Sequence, residues 1–162
     1  MYKKILYLVR GAILAALYVA LTMLFQPISF GVVQFRISEI LTVFPFFLPE
    51  AIPGLFVGCV ISNLLGGNGL LDVIFGSLAT LAAAYLTFRC RQKWLAPLPP
   101  VLVNAIVVGA MLHYTLSWPL LVSMLSVGLG QLVVCYGGGL PLLYLLDKSP
   151  GFRKLIRYQN TR

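Results

Sequence analysis

The chain has 162 residues, of which 60% are hydrophobic and 10% charged, with a formal net charge of +8 and a mean hydropathy of +0.95. That balance excludes a soluble domain with a solvated surface and reads as an integral membrane protein. At about 20 residues per crossing the length holds about six spans, and no soluble domain is expected beside them.

Apolar runs between polar breaks predict spans over about residues 5–25, 39–48, 51–65, 70–88, 98–116 and 120–146. Lys3, Lys4 and Arg10 precede or open the first. It is too long for a signal peptide, and no polar mature domain follows it. Ala12, Ala16 and Ala20 recur at four-residue spacing along it, a smooth ridge on which another helix can approach closely, either inside the bundle or in a partner subunit. The second and third spans are short, and Pro45, Pro49 and Pro53 fit tilted or broken helices packed within the bundle. Gly66-Gly67-Asn68-Gly69 breaks the chain before the fourth span and lacks the Lys-Ser or Lys-Thr of a phosphate loop. Arg89, Arg91 and Lys93 fill the next connection. Gly137-Gly138-Gly139-Leu140-Pro141 lies inside the sixth span and predicts a break or a very close helix contact. Lys148, Arg153, Lys154, Arg157 and Arg162 follow that span.

With six spans both termini share a side, and eleven of the twelve basic residues fall on it. The positive-inside rule makes that side cytoplasmic. Orientation and anionic headgroups account for the charge, so nucleic-acid binding is not expected. Arg36 alone lies elsewhere. Cys59, Cys90 and Cys135 show no metal-ligand spacing and read as small buried side chains, with no cofactor implied.

A polar side chain within a span must face the bundle interior or a water-filled cavity. Arg36 and Glu39 end the first external loop, Asn63, Asn68 and Asp72 bracket the second, and His113, Tyr114 and Trp118 bracket the third. Asn104 and Gln131 lie deeper, whereas Glu50 and Asp147 fall at the inner end. Carboxylates, amides and aromatics gathered at one face describe a pocket for a polar, planar small molecule. A plainer reading stands beside each. Asn63 and Asn104 also suit interhelical hydrogen bonding, Arg36 and Glu39 have the i,i+3 spacing of a local ion pair, His113 suits an ordinary satisfied imidazole, and Tyr114 and Trp118 suit an aromatic belt. An intramembrane hydrolase would need a nucleophile and base on facing helices, and His113 is the single histidine with no serine motif near it. A purely structural protein would not need so many polar groups at one face.

The strings Gln34-Phe35-Arg36-Ile37-Ser38-Glu39, Phe46-Phe47-Leu48-Pro49-Glu50-Ala51-Ile52-Pro53-Gly54, Asn63-Leu64-Leu65-Gly66-Gly67, Asp72-Val73-Ile74-Phe75-Gly76-Ser77 and Pro99-Pro100-Val101-Leu102-Val103-Asn104-Ala105 occur in order along the chain. Together they resemble the QueT family of queuosine-precursor transporters over nearly its whole length. The resemblance implies an all-α, polytopic bundle of the kind found in the substrate-binding S-component of an energy-coupling-factor (ECF) importer, in a bacterial cell membrane with both termini cytoplasmic. Such a component has no ATPase of its own. It implies a transmembrane coupling subunit docked on Ala12, Ala16 and Ala20, two cytoplasmic ATPases, and a first external loop, about residues 26–38, acting as a lid. The alternative within the same class is an S-component for another vitamin or nucleobase.

The implied ligand is a 7-deazaguanine such as preQ0, preQ1 or queuine. Its ring N–H and exocyclic amine suit a carboxylate, here Glu39 or Asp72, and its carbonyl suits an amide, here Asn63, Asn104 or Gln131. Phe35, Tyr114 or Trp118 would stack on the ring. Arg36 and His113 complete the candidate set. The family commonly carries glutamate where this chain has Gln131, and often where it has Met111. That departure implies a precursor preference different from that of relatives with the glutamate.

Overall fold

The computed structural model describes residues 2–30, 34–67 and 69–160. Asn68, residues 31–33 of the expected lid and Arg162 lie outside them, as do the side chains of Lys3 and Arg157. Among the described residues every regular element is a helix. Helix α1 is Tyr2–Leu24, α2 the single turn Gln26–Ser29, and α3 Ala51–Gly66, with a 3₁₀ helix, Ile37–Phe46, between the last two. A π turn, Asp72–Gly76, runs into α4, Ser77–Arg89; a short 3₁₀ turn, Lys93–Leu95, precedes α5, Leu98–Leu116. Helix α6, Leu120–Val134, continues through a second π turn, Cys135–Gly139, into α7, Leu140–Lys148, and α8 is Pro150–Asn160.

Among the described residues three helical stretches are long and apolar enough to cross a membrane, Lys4–Leu24, Lys93–Leu116 and Leu120–Lys148, and Ile37–Phe46 and Ala51–Gly66 are shorter apolar helices. The polarity of the fold is that of a protein in lipid. Leu8, Leu24, Leu121, Leu125 and Leu129 are exposed, while Arg36, Glu39, Glu50, Asn63, Asp72, Asn104 and Gln131 are buried.

Helices α1 and α3 run parallel in close contact. A Cβ on Gly54 would come within 2.5 Å of the Gly11 carbonyl oxygen, and one on Gly58 within 2.9 Å of that of Ala15. Gly54 and Gly58 form a G-x-x-x-G pair, the small-residue spacing that lets two backbones meet where hydrocarbon gives no hydrophobic drive. This contact uses the Gly11, Ala15 and Tyr18 face of α1. Ala12, Ala16 and Ala20 are exposed on another face. Gly58→Leu is expected to force the helices apart and cost about 1–3 kcal/mol or more, read as a lower unfolding midpoint in detergent, whereas Val57→Leu on the exposed face leaves it in place.

Parallel α1 and α3 require the chain between them to return across the bundle. The 3₁₀ helix does this economically: its ten residues, at about 2.0 Å each, reach about 20 Å, against about 15 Å as α-helix. Three residues per turn stack Glu39, Thr42 and Pro45 on one buried row. The second predicted span is thus a 3₁₀ rod. Gly138 and Gly139 admit it, since Cβ atoms there would meet Ile40 Cδ1 at 2.5 Å and Val43 Cγ1 at 3.0 Å. The glycine run therefore provides both a π turn and a close contact. Helices α5 and α6 form an antiparallel hairpin in which Gly109 lies against Met124 and Gly128 against Ala105.

The basic end is closed by ion pairs. Arg10 pairs with Glu50 at 3.0 Å, and Asp147 with Lys93 at 2.6 Å and with Arg153 at 3.7 Å. Phe152 of α8 packs edge-on against Phe44 and Phe47. Glu50 and Asp147 thus belong to that end, and the other two acidic residues, Glu39 and Asp72, lie elsewhere.

Candidate functional site

In the half of the bundle away from that end, α1, the 3₁₀ helix, α3, α4 and the first π turn converge on one buried polar cluster. Arg36, just before the 3₁₀ helix, forms an ion pair with Asp72 at 3.7 Å, Nη2 to Oδ2, longer than a hydrogen bond. Its Nη1 reaches Cys59 Sγ at 3.7 Å, and the guanidinium lies 5.3 Å from the centre of the Phe30 ring. Phe30 in turn covers Gly66, where a Cβ would come within 2.4 Å of the ring. Between Arg36 and Glu39 the direct bond is in the backbone, the Glu39 N–H donating to the Arg36 carbonyl at 2.9 Å. The local pair allowed by the i,i+3 spacing is therefore replaced by one across the bundle.

Glu39 Oε1 accepts from the Tyr18 hydroxyl at 2.5 Å and from Thr80 at 3.4 Å. Thr22 ties α1 to the same segment through Ser38, 2.7 Å away. Asn63 donates to the Asp72 carbonyl at 2.9 Å, and its Nδ2 lies 3.5 Å from both Cys59 Sγ and Ser77 Oγ. Gly76 leaves room for this corner, because a Cβ there would come 3.0 Å from Asp72 Oδ1 and 3.1 Å from Asn63 Nδ2. Asn104 lies within interaction range of Glu39, and Gln131 Oε1 accepts from Cys135 at 3.6 Å, beside the Glu39 backbone.

Six buried atoms of the cluster have no hydrogen-bond partner among the described residues: Arg36 Nε and Nη2, Glu39 Oε2, Asn63 Oδ1, and both Asp72 side-chain oxygens. An unsatisfied buried polar atom costs about 1–3 kcal/mol, and folded domains retain only about 5–15 kcal/mol in total. Such a set is able to hydrogen-bond a polar molecule. It is weighted to acceptors, four against two donors, so it suits a ligand rich in N–H.

A cavity of about 190 Å³ opens beside it, lined by Asp72, Gln34 and Phe30 on one side and by Met111, Leu112 and Thr115 of α5 among others. Gln34 is buried with φ +47°, a left-handed conformation uncommon for a non-glycine residue. Its carbonyl accepts from the Arg36 N–H at 2.9 Å, which turns the chain tightly just ahead of the guanidinium.

Of the residues singled out in the sequence, Arg36, Glu39, Asn63, Asp72, Asn104 and Gln131 come together in or around this cluster. His113 and Trp118 do not join it. The His113 ring Nδ1 donates to the Trp118 carbonyl across the α5–α6 connection, and Tyr114 is exposed beside them. Tyr18, Cys59, Thr80, Gln34 and Phe30 belong to the cluster or its cavity and had no sequence signal beyond a polar or aromatic side chain in an apolar run.

Residues 8–148 match the family described as QueT transporter. The chain belongs to the QueT transporter family. A protein named Queuosine precursor transporter QueT, from Lactococcus lactis subsp. cremoris (strain MG1363), is 47% identical over 76 residues. That stretch covers 46% of this chain and 44% of that relative, so the chain matches less than half of the relative's length. No solved structure matches the chain. Membership in the QueT family, with several helices able to cross a bilayer, makes this a membrane protein of a transporter family. The polar cluster is thus set inside the fold of a QueT-family member.

Proposed function

We propose that the chain captures a queuosine precursor, a 7-deazaguanine, as the substrate-binding S-component of an ECF importer. The observation that carries the reading is the set of six buried polar atoms without a hydrogen-bond partner in a transporter-family bundle. The name of the Lactococcus relative supplies the substrate class. Asp72 and Glu39 accept from the ring N–H and exocyclic amine, Arg36 donates to the carbonyl, and Asn63, Asn104 and Gln131 line the remaining edge. Phe30, already stacked over the guanidinium, bounds the ring face. His113, in the last turn of α5, and Trp118, in the connection after it, flank Thr115 and serve as a rim beside the cavity. Six crossings in a bacterial cell membrane, with both termini cytoplasmic, agree with the ion-paired basic end lying away from the cluster. The exposed Ala12, Ala16 and Ala20 ridge receives the transmembrane coupling subunit, and two cytoplasmic ATPases supply hydrolysis.

Calorimetric titration of the detergent-purified protein with preQ0, preQ1, queuine, guanine and riboflavin tests this. One-to-one binding of a deazaguanine, with riboflavin inert, is the expected result. Binding of none of the deazaguanines by folded protein would overturn it.

A further inference from the structure

The cavity beside Asp72 does not stand alone. A second, apolar space of about 520 Å³, a groove open at the bundle surface, lies between the first π turn and α5, lined by Leu71, Phe75, Ile106, Val107, Ala110, Met111 and Tyr114, of which Phe75, Ile106 and Tyr114 are exposed. Two residues line both spaces, Leu71 and Met111. They sit on opposite elements, one just before the π turn that carries Asp72 and the other on α5. We infer that Leu71 and Met111 form a septum that sets the size of the substituent accepted on the ligand, admitting a small group on the ring and rejecting a bulky one.

The inference rests on the proposed reading of the cluster as a deazaguanine site. Asp72 holds the amine-bearing edge of the base, so the opposite, five-membered ring with its substituent points toward the α5 wall. At about 190 Å³ the polar chamber is smaller than the roughly 300–1,000 Å³ of ordinary small-molecule pockets. It suits a bicyclic base with a nitrile or aminomethyl group better than one with an appended cyclopentene ring. The apolar groove beyond offers the added space. Side chains at the septum therefore decide whether a ligand can use it. Thr115 does not compete for the substituent, since its hydroxyl donates to the Met111 carbonyl at 3.0 Å. A thioether is also a pliable divider, able to move aside in part but not to vanish.

The test titrates wild type, Met111→Ala and Leu71→Ala with preQ1, whose substituent is an aminomethyl group, and with queuine, which carries the cyclopentene ring. Leu71 is 45% exposed, so its truncation does not unpack the core. The expected reading is the ratio of the two affinities. Wild type favours preQ1 by about tenfold or more, the scale on which an apolar pocket discriminates by size, and each truncation moves the ratio toward queuine by a similar factor. A ratio that stays put in both variants, whether the two affinities hold or fall together, overturns the septum while leaving the parent reading intact. A wild type that binds neither base overturns both.

Discussion

Asp72→Asn is expected to weaken deazaguanine binding by about 100-fold while the protein stays folded. The substitution keeps shape and volume. It removes the negative charge facing Arg36 at 3.7 Å and turns one of two oxygens that lack a hydrogen-bond partner into a donor. A hydrogen bond to a charged group contributes about 1.5–3 kcal/mol, and 1.4 kcal/mol is tenfold in affinity. The amide also turns a donor toward the N–H edge of the base, so a repulsive contact replaces an attractive one. Glu39→Gln is expected to act in the same direction. Its amide oxygen keeps the bonds that Oε1 accepts from Tyr18 and Thr80, but its NH2 replaces the free Oε2 and turns a donor toward the base, so a loss of similar size is expected. Removing Arg36 is the harsher change, because Asp72 and Glu39 would remain buried without a countercharge. Breaking a buried pair from one side costs about 3–5 kcal/mol. Titration read beside thermal unfolding in the same detergent separates the cases: Asp72→Asn lowers affinity with a small fall in midpoint, since Arg36 keeps the charge of Glu39 nearby, and Arg36→Ala lowers the midpoint further because two carboxylates lose their countercharge.

The second large effect is expected at the alanine ridge, and it has the opposite signature. Ala16→Leu places a branched side chain on an exposed face of α1 that the bundle does not use, because the contact with α3 runs through Gly11 and Ala15. Ligand binding by the isolated protein should be unaltered. Docking of a partner helix on that ridge loses its close approach, and overpacking of about 1–3 kcal/mol corresponds to a loss of roughly 5- to 150-fold in association. Under the proposed docking, cellular uptake of a labelled precursor should fall accordingly, and co-purification with the proposed coupling subunit should weaken with it. Uptake that persists at the wild-type rate in Ala12→Leu/Ala16→Leu would place the partner surface elsewhere.

Much of this was legible in the sequence because lipid makes polarity informative. A charge or amide within an apolar run must find company, and Arg36, Glu39, Asn63, Asp72, Asn104 and Gln131 do gather. Partners within the cluster were not legible. Spacing relates residues on one helix, and Arg36 finds Asp72 through the packing of separate elements. Tyr18 and Cys59 escaped for the same reason, as members of apolar runs distinguished only by what faces them. The 3₁₀ form of Ile37–Phe46 follows from a geometric demand, the return of the chain between two parallel helices, that no local signal expresses. The G-x-x-x-G pair at Gly54 and Gly58 went unread in the sequence beside the more regular alanine spacing on α1, although it is the glycines that bring α1 and α3 together. His113 and Trp118 drew notice as polar and aromatic groups at a span end, and such groups can equally satisfy one another across a turn, as they do.

The central claim is that Arg36, Glu39, Asn63 and Asp72 hold their unpartnered atoms for the edge of a deazaguanine base. A crystal structure of the protein with preQ1 bound tests it most directly. The base should lie in the chamber beside Phe30, its ring N–H and exocyclic amine on Asp72 and Glu39 and its carbonyl on Arg36. A base bound at another place, with the cluster closed on itself by internal hydrogen bonds, would contradict it.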